Sequence, residues 1–301
     1  GMTISPCALL NPPAGIARLA GQGRRRIGNH QRLHHAPQRG DAEDAGRLNE
    51  IARHVGGDDQ RQPVVVGMAG AVQAVVAGVV KSPTPGVKVA VSDIDGILRG
   101  KVLHKDKFVS AVEGGFGFCD VVYGWDMHDQ CYDNTTVTGW HKGYPDALAR
   151  LDLSTHRNVP WDGGIDFFLG NFVRTVKGRE EPFPLDGRQV LKRVLARAAK
   201  SGVQPMCSLE FEFFNFAETP QSWAGKKGVG PEPITPGMFG YSLLRAGHAR
   251  DYFNALFSEL AAFGVPIEGL HTETGPGVYE AAIVYSDALE AGDRALLFKA
   301  G

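Results

Sequence analysis

The sequence predicts a mixed fold of helices and strands, α+β or α/β, and three observations carry that prediction. Short runs of alternating apolar and polar residues, closed by turn signals, recur between residues 87 and 173. Two stretches of helical period, 187–202 and 248–264, then appear, each ending in glycine. Strand-like runs follow each of them, so the order from Pro184 onward is helix, strand, helix, strand–turn–strand, helix.

Taken in order, "VKVAVSDIDG" (87–96) alternates as a half-buried strand does, and Asp95-Gly96 makes its turn. "ILRGKVLH" reads as the return strand. "FCDVVYGWD", "DALARLDL" and "FFLGNFV" read as further strands, and with so little helix between them they form a small mixed sheet. In "GRQVLKRVLARAAKSG", Val190, Leu191, Val194, Leu195 and Ala198 fall on one helical face, and Gly202 suits the stop. "CSLEFEFFNF" (207–216) is the next strand. A loop rich in glycine and proline leads to the amphipathic helix "HARDYFNALFSELAAFG". "PIEGLHTETGPGVYEAAIVY" reads as strand, Gly-Pro-Gly turn, strand, and "SDALEAGDRALLFKAG" opens a last helix.

Composition narrows the class. Of 301 residues 43% are hydrophobic and 22% charged, ordinary proportions for a globular protein, and the length suits about two domains. A formal net charge of −1 gives no reason to expect a nucleic-acid partner. The cysteines, Cys7, Cys119, Cys131 and Cys207, are scattered without a CxxC pair, so neither a zinc knuckle nor a disulfide framework is indicated and a cytoplasmic location is the expectation. The apolar run 64–80 sits at the short edge of a bilayer span and holds three glycines and Gln73; a buried helix or a poorly structured segment is expected there, not a membrane span. Gly1 before Met2 reads as a tag-cleavage scar.

The chemistry concentrates in two carboxylate pairs. Residues i and i+2 of a strand share a face, so Glu210 and Glu212 project together while Leu209, Phe211 and Phe213 pack behind. Like charges so close repel, and a low-dielectric wall worsens the repulsion; a hard divalent cation with a preference for oxygen ligands relieves it. Glu273 and Glu280 bracket the Gly-Pro-Gly turn, and if its arms pair as a hairpin both carboxylates can face the same side. Each pair taken alone is also what a solvated edge strand carries. Together, four glutamates on neighbouring strands can supply two metal positions of the kind that clamp phosphoryl groups.

"SLEFEFFNF" followed by "HTETGPGVYEAAI" resembles the glutamine synthetase family, as do "DIDGILRGKVLHKDKF", "GFGFCDVVYGWDMHDQCYDN" and "TGWHKGYPDALARLDLSTHRNVPW". The resemblance runs from about Val87 to the end and is nearest to the branch with γ-glutamyl-amine ligases. It implies an α+β fold: a small β-grasp N-terminal domain (83–180) and a partial catalytic domain (181–301) with a curved antiparallel sheet. It also implies ATP-dependent phosphorylation of the γ-carboxylate of glutamate, attack by ammonia or an amine, two Mg²⁺ or Mn²⁺ ions, and homo-oligomeric rings. On this resemblance Glu212, Glu273 and Glu280 are ligands of the metal nearer glutamate, and Glu210 of the metal nearer ATP. Glu268 and Tyr285 fall where the family contacts ATP; a solvated loop acid and a packing aromatic are their plain alternatives. Asp126 falls near where the family offers an acid to a neighbour's amine site, and a turn-capping Asp is its alternative.

The family's later segments, its lysine strand, phosphate and metal segment, glutamate-binding arginines and flap, have no counterpart here. The chain is therefore expected to be a fragment of a ligase gene, truncated or misjoined. A non-catalytic scaffold of the same family is the competing reading, and a metal phosphoesterase is a third, weakened by the lack of a His/Asp cluster.

The first 82 residues form an atypical leader. "GQGRRRIGNHQRLHHAPQRGDAEDAG" has little apolar periodicity; it reads as disordered rather than as a basic arm or, through "HQRLHH", a metal tract. Limited proteolysis is expected to cut within the leader well before the remainder; a leader as resistant as the rest would count against this reading.

Overall fold

The computed structural model describes the backbone of residues 63–301 and side chains from Gly70 onward. The expectations of a disordered leader and of a histidine tract, over residues 1–62, lie outside the described residues. Val75–Gly301 fall in one compact unit.

The run 64–80 is helical: α1 spans Pro63–Lys81, and Val76 and Val79 near its end are buried against the first core. Among the described residues no helix is long and apolar enough to cross a membrane.

The first sheet is built from β1 (Gly86–Ser92), β2 (Leu98–His104), β3 (Phe116–Cys119), β4 (Asp146–Val159), β5 (Ile165–Val176) and β6 (Arg179–Pro182). Its order is β2-β1-β5-β4-β3, with β6 paired to β5. β1 and β5 pair in parallel at the centre and every other pairing is antiparallel. Helix α2 (Lys105–Gly114) connects β2 to β3 and buries Phe108 against Phe168, ring centroids 5.0 Å apart.

Strand alternation divides this sheet between two cores. Val89, Val91, Phe168 and Phe172 point to the α2 side, while Ala90, Phe167 and Leu169 point to the other. The run "FCDVVYGWD" is strand only as far as Cys119. Asp120–Tyr123 is a 3₁₀ turn, and Asp120 is buried where its carboxylate accepts a 2.7 Å hydrogen bond from Thr138 Oγ1. A buried carboxylate needs such a partner, and satisfying it takes the chain out of the sheet.

From residue 187 the elements are α3 (Gly187–Lys200), β7 (Met206–Cys207), β8 (Glu210–Phe214), α4 (Pro220–Gly225), α5 (Leu243–His248), α6 (Arg250–Ala262), β9 (Ile267–Thr272), β10 (Val278–Ile283), β11 (Ser286–Asp287) and α7 (Ala288–Phe298). Asp186 caps α3 by accepting from the Gln189 amide at 2.9 Å. The helix expected over 248–264 is present as Arg250–Ala262, and a short helix not expected from the sequence, Leu243–His248, precedes it, the two meeting at Ala249. The second sheet has the order β8-β10-β9, all antiparallel, and β7 pairs with β11. Behind it Phe211, Leu260, Phe263, Ile283 and Leu297 bury together with Phe167 and Leu169 of the first sheet.

A buried ion cluster ties these elements. Arg188 on α3 donates to Asp293 on α7 through Nε (2.7 Å) and a terminal nitrogen (2.8 Å). Its other terminal nitrogen donates to Asp152 on β4 (2.7 Å) and Asn171 on β5 (3.0 Å), and Lys192 joins Asp152 at 3.0 Å. Burial works against the Asp152 charge, but Ser154, Arg188 and Lys192 outweigh it and hold the carboxyl well below the usual range.

Arg188→Ala is expected to lower unfolding free energy by about 3–5 kcal/mol in urea titrations near neutral pH, because it strands buried Asp293 without a partner. Replacing Arg188 and Asp293 together by apolar residues should recover much of that loss. A loss below about 1 kcal/mol for the single variant would show the cluster to be energetically idle.

Candidate metal centre

The centre is assembled by strand register. On β10, Glu280 lies directly opposite Glu212 of β8 on one side and opposite His271 of β9 on the other. Directly paired antiparallel positions put side chains about 5 Å apart at their bases. Glu210 lies opposite Ala282, one step along the same face. Phe211 and Phe213 take the other face, where both rings pack on Phe298, at 4.7 and 5.8 Å. The aromatic run thus fixes which way the glutamates point.

The turn brings in the fourth carboxylate. Glu273 follows β9, and its amide donates to the Val278 carbonyl at 2.8 Å. Gly277 makes the turn possible: its φ is +73°, and a Cβ there would lie 2.3 Å from the Asn215 carbonyl oxygen at the end of β8. The turn therefore seats on β8, and Glu273 lands beside Glu280. Ligand atoms of His271, Glu273 and Glu280 lie within 4.8 Å of one another, and all three residues are half-buried.

No ion pair among the described residues involves any of the four glutamates. Burial, and then the charges of Glu210, Glu212 and Glu273, push the Glu280 carboxyl above its ordinary range, with His271 opposing. Glu273 is held below its range by hydrogen bonds from Thr274, its side chain first and then its amide. The four carboxylates thus form an uncompensated anionic face, an oxygen donor set that fits a hard divalent cation.

Two residues join this face without a prior signal from the carboxylate pattern. His271 stands two residues before Glu273, and strand periodicity in "HTE" could have placed both on one side. Tyr241 arrives from the long loop: its amide donates to the Thr272 carbonyl at 2.7 Å, and its ring centroid lies 4.5 Å from that of His271. The charge of Glu273 raises the Tyr241 hydroxyl above its ordinary range. Thr272 Oγ1 donates to the Phe239 carbonyl at 2.7 Å and accepts from the Ser242 amide at 2.9 Å, which holds the loop against β9. Nothing local in the sequence marks Tyr241, since its position depends on that docking.

The other expected site residues stand apart. Glu268 is exposed on β9, at the end of the hairpin away from the turn, and Tyr285, 63% exposed, follows β10 at the same end. Asp126 lies in the loop between β3 and β4, where its Oδ1 accepts from the amides of His128 (2.8 Å) and Gln130 (3.0 Å). This is the turn-capping geometry named as its alternative.

Comparison with known proteins places this architecture. Residues 184–301 match the family described as glutamine synthetase, catalytic domain. The type-1 glutamine synthetase 2 of Dictyostelium discoideum is 51% identical over 218 residues, 72% of this chain and 41% of that protein. The glutamate–isopropylamine ligase of a Pseudomonas species is 31% identical over 216 residues, 71% of this chain and 46% of that protein. A solved GmaS–ADP complex superposes with a TM-score of 0.58 at 22% identity, covering 75% of this chain and 47% of that one, which supports the fold. Over residues 184–301 the chain belongs to the glutamine synthetase family, matching its catalytic domain. It spans less than half the length of the relatives just named, which are carbon–nitrogen ligases by name.

Saturating Mn²⁺ is expected to raise the melting temperature of the chain, by about 2.7 kcal/mol of stabilisation at one hundred times the dissociation constant. The Glu210→Ala/Glu212→Ala double variant should lose that rise while keeping or gaining apo stability, since it relieves like-charge repulsion. A rise retained in the variant would move the cation away from these carboxylates.

Proposed function

We propose that this chain contributes the metal-binding face of an ATP-dependent ligase that joins ammonia or an amine to the γ-carboxylate of glutamate. The observation that carries the reading is the register that lines Glu212, Glu280 and His271 across three strands and adds Glu210 and Glu273 to the same face. Family membership and the named activities of the relatives support it.

In this reading Glu212, Glu273 and Glu280 hold the Mg²⁺ or Mn²⁺ nearer glutamate, and Glu210 serves the one nearer ATP. Bound there, divalent cations neutralise phosphate charge during phosphoryl transfer. Glutamate is activated as its γ-glutamyl phosphate, whose acyl carbon the amine attacks; the C–N bond forms as phosphate leaves, and the amine nitrogen loses a proton. The residues of this chain fix the donor geometry, while Phe211 and Phe213 shut water out from behind. Glu268 and Tyr285 are proposed contacts for ATP, and Asp126 for a neighbour's amine site in a ring of subunits. The identity of the amine follows from elements beyond the four glutamates.

The test is ADP release on mixing the protein with ATP, Mg²⁺, glutamate and a panel of amines that includes ammonia. Amine-dependent ADP formation, abolished in Glu212→Ala, is the expected result. Metal binding without any ADP formation would favour a non-catalytic scaffold of the same family.

A further inference from the structure

We propose that His271 is a nitrogen ligand of the cation held by Glu273 and Glu280, and that it turns this position toward Mn²⁺ and away from Mg²⁺. The inference rests on the proposal that this face binds a divalent cation, and it specifies which one.

Geometry supports a ligand. His271 is paired across the ladder with Glu280, and its ring nitrogen falls in the same 4.8 Å cluster as carboxylate oxygens of Glu273 and Glu280. The ring is also oriented. Its Nδ1 lies 3.3 Å from the Thr272 carbonyl oxygen, and the tautomer that donates there leaves the lone pair of Nε2 free. Ligating histidines usually commit their second nitrogen to a carbonyl or carboxylate in this way. Tyr241 packs on the ring at 4.5 Å and limits its rotation.

Chemistry then sets the preference. Mg²⁺ favours an octahedron of oxygens and gives up its water reluctantly. Imidazole suits first-row transition ions better, and affinity for a site of mixed nitrogen and oxygen donors rises along that row. An all-carboxylate site would treat Mg²⁺ and Mn²⁺ more evenly. A histidine that served only as a counter-charge would, when removed, change the affinity for both ions alike.

The test uses the whole chain loaded with Mn²⁺ and pulsed electron paramagnetic resonance, which detects a directly bound ¹⁴N. A nitrogen coupling is expected, and it should vanish in His271→Gln. Calorimetric titration should show Mn²⁺ affinity falling about tenfold or more in that variant, a loss at least as large as supporting residues cause, with Mg²⁺ affinity changing by less than about threefold. Circular dichroism checks that the variant folds; if it does not, the nitrogen coupling of the unaltered chain decides. Bound Mn²⁺ without nitrogen coupling, or equal losses for both ions, would overturn the assignment and leave the carboxylate site standing. An unaltered chain that binds no divalent ion would overturn the assignment together with the functional reading beneath it.

Discussion

The guanidinium of Arg188 joins four elements at one point: α3 which carries it, α7 through Asp293, β4 through Asp152 and β5 through Asn171. Each partner comes from a different part of the chain, the farthest 105 positions away. A charge so deeply buried tolerates little displacement, because every lost hydrogen bond leaves a desolvated group behind. The first sheet and the helices behind the second sheet are therefore held in a fixed relation. Arg157 repeats the tie nearer the surface, with a 2.8 Å bond from β4 to Glu290 on α7.

That fixed relation matters because the candidate centre is electrostatically unfavourable by itself. Four carboxylates share one face, and burial followed by the charges of its neighbours pushes Glu280 up. Such a face keeps its shape only if the strands beneath it cannot slide. The apolar side of the sheet supplies that resistance: Phe211 stacks on Phe298, and Tyr279 and Ile283 are fully buried. A one-residue slip of β8 would exchange the phenylalanines for the glutamates and bury charge against the core. Core packing and site geometry are thus one constraint seen from the two faces of a sheet.

Membership of the glutamine synthetase family agrees with this division of labour. The matched residues, 184–301, contain both carboxylate pairs, and the likeness to solved structures extends over about three quarters of the chain. The first sheet, which precedes them, shares a continuous apolar core with the matched segment, through Phe167 and Leu169 on one side and Phe211 and Phe263 on the other.

Much of this was legible in the residues. Alternation in "VKVAVS" and "SLEFEFF" sets strands and faces because side chains of a strand point up and down in turn, and the Gly-Pro-Gly turn sets a hairpin because its backbone needs glycine. The four glutamates read as a group on those grounds; the ladder puts Glu210, Glu212 and Glu280 on one face, and the turn sets Glu273 beside Glu280. The exit of the chain from the sheet at Asp120 and the place of Tyr241 were not legible. Each depends on a partner distant in sequence: Thr138 for Asp120, the Thr272 carbonyl for Tyr241. The sequence by itself determined which side chains could act together along one strand, since that follows from local backbone geometry. Only the tertiary structure decided which strands stand side by side, and so set Glu280 between Glu212 and His271, because register between strands is fixed by packing and turn closure over the whole unit.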